Sequence, residues 1–182
     1  PTGFDFWNIL PAQGDYYNPN FITMENKTVR EKGYVTNIIT DKSIDWLEHK
    51  RDRSKPFALF VHHKACHRAW LPELKYLNLY EDKTFPLPET FYDDYEGRPA
   101  AAAQEMSIAK DMDMAYDVKM YTKGVTKTPL APTYEGMIGR LDPEDRAKYD
   151  AFYNKLTADF ESKHLTGKAL AEFKFQRYMR DY

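Results

Sequence analysis

A short apolar run that follows a predicted helix constrains the fold of this chain more than any other feature. The run covers residues 56–61, and Pro56 ends the charged turn before it. A helix is predicted from Thr36, the expected cap, to the charged run at residues 50–53, because apolar residues up to Leu47 recur at helical spacing. A continuous apolar run after a helix is typical of a strand buried on both faces of a mainly parallel sheet. The sequence therefore predicts an α/β fold in which helices flank such a sheet.

The segment richest in reactive side chains follows that predicted strand directly. It reads His62-His63-Lys64-Ala65-Cys66-His67-Arg68-Ala69-Trp70-Leu71-Pro72. In open α/β sheets, ligands bind outside the carboxyl ends of the strands, where loops present their side chains. Neighbouring residues of a strand alternate in direction, so one of His62 and His63 is expected to face the sheet and the other the cleft. We therefore expect the functional site in this loop.

Three further helices are predicted in the second half of the chain. Apolar residues between Ala102 and Met120 form one stripe of a long helix. The sequence 142–145 combines a capping Asp, a Pro in the first turn and acidic residues at the positive end of the helix dipole, so it predicts a helix start. A last helix is expected from about Thr166 to the end at Tyr182. A chain that stops within an element is expected to be part of a longer protein.

Composition and charge exclude several classes of function. The 182 residues carry 26 basic and 28 acidic side chains, for a net charge of −2. That balance gives no long-range field for nucleic acid or anionic lipid, and no apolar run reaches the ~18 residues of a membrane-spanning helix. The single cysteine, Cys66, rules out an internal disulfide and a multi-cysteine zinc site.

Asn26 opens an Asn-Lys-Thr glycosylation sequon.

Several segments, in this order and spacing, resemble a type I sulfatase, and most closely the bacterial sulfatases that act on sulfated sugars. The matching segments are residues 14–19, 33–36, 55–57, 62–68, 77–80, 84–91 and 95–98. After about Met120 the likeness is mostly one of helical pattern.

The resemblance implies an alkaline-phosphatase-like α/β fold and hydrolysis of sulfate esters. Such enzymes use a formylglycine made from Cys or Ser in a Cys/Ser-x-Pro/Ala-x-Arg motif, together with a calcium ion held by acidic residues. Cys66 is followed by His-Arg-Ala-Trp, so it does not match that motif, and the acidic segments of the family are also absent. Residues 1–182 are therefore expected to be an internal portion of one sulfatase catalytic domain, inactive alone, with no metal bound by its own residues. The rest of the sulfatase polypeptide is then its partner, and the parent is expected to be periplasmic or otherwise exported.

His67 matches the position of a family histidine and is the catalytic candidate, although Cys66 precedes it where near relatives carry Pro. An imidazole can hydrogen-bond a sulfate oxygen and protonate the departing sugar alcohol. The candidates for substrate binding are His63, Lys64, Arg68 and Trp70. Cations gain from charge-assisted bonds to sulfate, whereas an indole either stacks on a sugar face or belongs to the core.

Other interpretations of the same residues remain open at this point. His63, Cys66 and His67 could ligate zinc, or Cys66 could act as a nucleophile. The substrate implied by the resemblance is a sulfated carbohydrate, such as a glycosaminoglycan or mucin sugar carrying 6-sulfated N-acetylglucosamine. The rival functions are a phosphonate or phosphate monoesterase of the same fold and a non-catalytic carbohydrate-binding subdomain.

Overall fold

The computed structural model describes all residues from Pro1 to Tyr182 and divides them into two compact units. The first unit contains Pro1–His67 together with Gly136–Asp142. The second contains Arg68–Glu135 together with Pro143–Tyr182. The chain therefore passes from one unit to the other within the histidine-rich loop.

The first unit contains a small antiparallel sheet. Its strands are β1 (Asn8–Ile9), β2 (Asn20–Thr23) and β3 (Thr28–Arg30), in the order β1-β2-β3. Phe21 of β2 lies opposite Val29 of β3, and Phe21 is buried while Val29 is exposed. Asn26, in the turn between β2 and β3, has a φ of 56°, a left-handed conformation that Asn tolerates well.

The first predicted helix is confirmed. Helix α1 covers Val35–Asp45 and continues into a π-helical turn at Trp46–Lys50. It starts one residue before the expected cap, and Val35 is fully buried.

The strand predicted over residues 56–61 is wrong. The segment is irregular, with Phe57 51% and Phe60 67% exposed. A strand is stabilised by hydrogen bonds to a neighbouring strand, and this segment has no such neighbour in the structure. The predicted mainly parallel sheet is consequently not found, since the sheet of this chain is antiparallel.

The second unit is helical. Its helices α2 and α3 are single turns, whereas α5 and α6 are long; α4 begins in this unit. The bounds are α2 Pro99–Ala102, α3 Ile108–Asp111, α4 Ala131–Ile138, α5 Pro143–Lys163 and α6 Gly167–Asp181, with 3₁₀ turns at Leu74–Tyr76 and Glu89–Tyr92. The helix starts predicted at residue 143 and near residue 166 are therefore confirmed. None of these helices combines the length and the apolar character that a membrane span requires.

The long helix predicted between Ala102 and Met120 is wrong, because short polar side chains bond to the backbone there. Asp111 accepts a bond from the Ser107 N–H at 2.7 Å, and Ser107 Oγ accepts one from the Lys110 N–H. Asp113 then accepts from the amides of the second and third residues after it, each at 2.9 Å. Such local bonds compete with helical backbone bonds, so the segment breaks into short turns.

A buried ionic cluster joins α5 and α6 to the segment before α4. The Asp181 carboxylate accepts bonds from Arg177 at 2.7 Å and from the Tyr153 hydroxyl at 3.0 Å, and it lies 3.4 Å from Lys119 Nζ. Lys119 is fully buried, and its burial lowers its pKa while Asp181 opposes that shift. The contact face of α6 is therefore partly charged rather than the apolar stripe that its sequence pattern suggests.

Candidate active site

Residues 62–72 form an irregular loop and not the end of a strand. His62 and His63 are both exposed, so the predicted division of these two side chains between sheet and cleft is wrong. The reason is the missing sheet, without which consecutive side chains have no buried face to alternate against.

A tight turn brings Lys64 and His67 together within the first unit. The His67 N–H donates to the Lys64 carbonyl oxygen at 2.8 Å. The turn leaves Lys64 buried and His67 exposed. The two strongest candidates for gripping a sulfate are therefore joined by one backbone bond.

The side chain of Lys64 contacts the segment at residues 13–16. Its ammonium donates to the Gln13 carbonyl oxygen at 2.9 Å and lies 4.8 Å from the centre of the Tyr16 ring. Burial lowers the pKa of Lys64, while the negative charge of Asp15 acts in the opposite direction.

Tyr16 also contacts the other end of the turn. Its hydroxyl donates to the His67 carbonyl oxygen at 2.5 Å, and its side chain is almost fully buried. Sequence reasoning identified residues 14–19 as part of the resemblance but gave them no role. A buried Tyr next to a Gly-Asp pair carries no spacing signal that could have indicated this contact.

The segment that contains Tyr16 is itself fixed by Arg140. The Arg140 guanidinium lies 3.2 Å from the Asp15 carboxylate and donates to the Asn18 carbonyl oxygen at 2.5 Å. In return, Asn18 Nδ2 donates to the Arg140 carbonyl oxygen at 2.6 Å. Gly14 has a φ of 66°, and a Cβ there would lie 2.7 Å from Leu10 Cδ1, so the turn into this segment requires glycine.

Arg68 lies in the second unit and forms a bidentate ion pair with Asp117. Its Nε and Nη2 each donate to one carboxylate oxygen at 2.6 Å. Asp117 is fully buried and also accepts the Asp113 N–H at 2.8 Å. Hydrogen bonding to Asp117 raises the pKa of Arg68, against the opposing effect of burial. Asp117 was not among the sequence candidates, since nothing in its own neighbourhood marked it.

Trp70 is half-buried in the second unit. Its ring lies 4.8 Å from that of Tyr178, and the Lys119 ammonium lies 5.7 Å from the indole centre. The Trp70 φ of 51° is rare for a large side chain and indicates local backbone strain.

No group of three or more His, Cys, Asp or Glu side chains is arranged to hold a metal ion. His63, Cys66 and His67 do not form a zinc site, and Cys66 is an exposed free cysteine. The residues present also do not fit a calcium ion, which prefers six to eight oxygen ligands.

Comparison with known proteins places the whole chain beside part of one enzyme. No protein-family model matches the chain. It is 41% identical over 186 aligned positions to an N-acetylglucosamine-6-O-sulfatase of Bacteroides thetaiotaomicron, with all of this chain and 33% of that protein covered. A solved structure of a protein in complex with its substrate D-glucosamine-2-N,6-O-disulfate matches all of this chain and 37% of that chain, with 41% identity and a TM-score of 0.90. The chain thus spans about a third of the length of the curated relative it matches.

Proposed function

The chain is related to the sulfatases along its whole length, and from that premise we propose that residues 62–70 supply the sulfate-binding loop of a carbohydrate sulfatase. The observation that carries the proposal is the turn that joins buried Lys64 to exposed His67. This turn places the fixed Lys64 ammonium and the exposed His67 imidazole at the two ends of four consecutive residues. Both groups are of the kinds that a sulfate ester requires.

Hydrolysis of a sulfate ester breaks the bond between sulfur and the sugar oxygen, joins sulfur to an oxygen that comes overall from water, and releases sulfate and the sugar alcohol. The departing oxygen needs a proton, and an imidazole in hydrogen-bond reach of that oxygen is suited to donate it. His67 is proposed for this role. The Lys64 ammonium has three N–H donors, of which one goes to Gln13, and its positive charge offsets the negative charge of the sulfate.

His63, Arg68 and Trp70 remain proposed contacts of the substrate. His63 is exposed beside Lys64, which suits a hydrogen bond to a sugar hydroxyl. The Arg68 side chain is 46% exposed while Asp117 fixes one edge of its guanidinium, so a cation of fixed orientation reaches the surface. Trp70 presents a half-buried ring that could lie against a sugar face.

The substrate class that we propose is 6-sulfated glucosamine, N-acetylated or N-sulfated. It is supported by the activity named for the curated relative and by the monosaccharide substrate named for the solved structure, since both names specify a glucosamine that is sulfated at O6. The formylglycine and the calcium ion of the family are proposed to come from residues outside this chain. The 182 residues alone are therefore proposed to lack turnover, and an exported location stays a proposal on the same family likeness.

A substrate panel tests the proposed function. The full-length sulfatase polypeptide that contains this chain is assayed on 6-sulfated N-acetylglucosamine, an aryl sulfate, an aryl phosphate and a phosphonate ester. The proposal expects turnover of the two sulfates and at least about a hundredfold slower turnover of the phosphorus esters, a difference of about 2.7 kcal/mol in the barrier. Preference for a phosphorus ester would overturn it in favour of the monoesterase. Saccharide binding without any turnover would favour a carbohydrate-binding subdomain.

A further inference from the structure

Tyr16 contacts both Lys64 and His67, the two residues that the proposed function assigns to sulfate binding. Its hydroxyl donates to the His67 carbonyl oxygen, and its ring lies under the Lys64 ammonium at 4.8 Å. Only 2% of Tyr16 is exposed, so it cannot reach a substrate itself. Any part that it plays in the reaction must therefore be indirect, and its contacts with Lys64 and His67 provide a route.

We propose that Tyr16 is a positioning residue, whose hydroxyl fixes the turn that presents His67 and whose ring fixes the ammonium of Lys64. The inference rests on the proposed function, because it concerns the same sulfate site. It adds a residue that contacts neither sulfate nor sugar.

The tyrosine can act as an anchor because its own backbone is fixed. Its carbonyl oxygen accepts the Val35 N–H at 2.8 Å, at the first residue of α1. Its ring stacks on that of Tyr34 with centres 6.1 Å apart. On its other side, Asp15 pairs with Arg140. Sites supported by such fixed elements hold their geometry better than sites built on loops alone.

The turn needs this anchor because residues 62–67 belong to no helix or strand. The hydroxyl bond to the His67 carbonyl therefore replaces a bond that regular secondary structure would otherwise supply. Proton transfer is sensitive to distance, and a displacement of about 1 Å can cost roughly a hundredfold in rate. Loss of the hydroxyl should consequently reduce kcat more than it raises KM.

The dependence on leaving group separates this role from a structural one. A sugar alcohol is a poor leaving group and needs the proton from His67, whereas a nitrophenol departs without it. A variant that misplaces His67 should therefore lose activity on the sugar sulfate and keep most of it on nitrophenyl sulfate. The ratio of the two rates does not depend on how much of the protein is folded, since the same active molecules turn over both substrates.

The experiment compares Tyr16→Phe, His67→Ala and Tyr134→Phe in the full-length sulfatase polypeptide that contains this chain. Tyr134 is the matched control, since it is also buried and its hydroxyl makes a 2.9 Å bond, to Tyr149 in its own unit. For Tyr16→Phe we expect kcat on 6-sulfated N-acetylglucosamine to fall at least about tenfold with KM within about threefold, and the aryl sulfate rate to change less than about threefold. Tyr134→Phe should keep the wild-type ratio.

The possible outcomes separate this inference from the proposed function. If His67→Ala lowers the ratio of sugar to aryl turnover and Tyr16→Phe leaves it at the wild-type value, Tyr16 is not a positioning residue. An equal fall on both substrates in Tyr16→Phe would likewise overturn the inference and assign Tyr16 to folding alone. If His67→Ala itself keeps the wild-type ratio, the proposed function fails first.

Discussion

The guanidinium of Arg68 and the carboxylate of Asp117 meet edge to edge, with both N–O distances at 2.6 Å. The carboxylate side chain is 1% exposed and the guanidinium side chain 46% exposed, so a buried group fixes the orientation of one that reaches the surface. Two parallel bonds define the plane of the guanidinium, which a single bond would not.

Substitutions that weaken the ion pair of Arg68 with Asp117 should lower stability by different amounts. A lysine cannot reproduce the planar fork of arginine, so Arg68→Lys is expected to lower the free energy of unfolding by about 1 kcal/mol. Asp117→Asn also disturbs the bond from the Asp113 N–H and should cost about 2 kcal/mol. Urea denaturation measures both. An Arg68→Lys loss larger than that of Asp117→Asn would contradict the view that the buried carboxylate is the anchor.

The buried cluster around Asp181 should be far more sensitive than any surface pair. Asp181→Asn leaves Lys119 and Arg177 as buried cations without their shared carboxylate, and we expect a loss of roughly 3–5 kcal/mol. The matched control is Asp159→Asn, which removes an exposed pair with Lys163 and should change stability by less than about 0.5 kcal/mol. Thermal unfolding of both variants tests this, and equal effects would show that the cluster is not a buried charge site.

The sequence predicts the helices of this chain well where local signals decide them. The helix start at Asp142-Pro143 carries its own capping and dipole signals, and α5 begins there. The segment at residues 102–120 shows the opposite case, since an apolar stripe was outweighed by Ser107, Asp111 and Asp113 bonding to nearby amides. Those residues are visible in the sequence, but an apolar stripe alone does not register them as helix breakers.

The site is only partly predictable, because its supporting contacts join distant parts of the chain. His67 and Lys64 stand out by residue type and by their place in the resemblance. Tyr16 and Asp117 lie 51 and 49 positions from the residues that they hold, and no local pattern links them. The predicted strand at residues 56–61 failed for a related reason, since an apolar run becomes a strand only beside another strand.

Asp15 should partly oppose the lowering of the Lys64 pKa by burial. Burial places the pKa of Lys64 below its ordinary value of 10.5, and Asp15 raises it part of the way back. The pKa of Lys64 is lower in the folded than in the unfolded state, so protonation of Lys64 opposes folding. The stability that the neutral lysine provides is fully present above pH 10.5 and is lost as pH falls through the folded pKa. Asp15→Asn should lower the Lys64 pKa further. An NMR titration of the lysine ammonium groups measures it, and an upward shift in the variant would contradict the account.

The exposed aromatic side chains of the segment 57–61, Phe57 and Phe60, should bind a hydrophobic dye. Phe57 and Phe60 are 51% and 67% exposed, and Phe60 contacts Phe4, which is itself 50% exposed. Several exposed apolar side chains offer a dye more apolar surface than a single one does. We expect the double variant Phe57→Ser, Phe60→Ser to lose most of the dye fluorescence of the purified chain. Met106→Ser removes one side chain that is 78% exposed and should leave it nearly unchanged; equal losses would argue against a patch.

The most direct test of the proposed function is the turnover of 6-sulfated N-acetylglucosamine by His67→Ala in the full-length polypeptide that contains this chain. His67 is exposed at the end of a turn fixed by Lys64 and Tyr16, where an imidazole can protonate the departing alcohol. A positioned proton donor contributes roughly 10²–10⁴-fold, so the account predicts a loss of kcat in that range with an unchanged circular dichroism spectrum. A folded variant that keeps near-normal turnover of the sugar sulfate would contradict it.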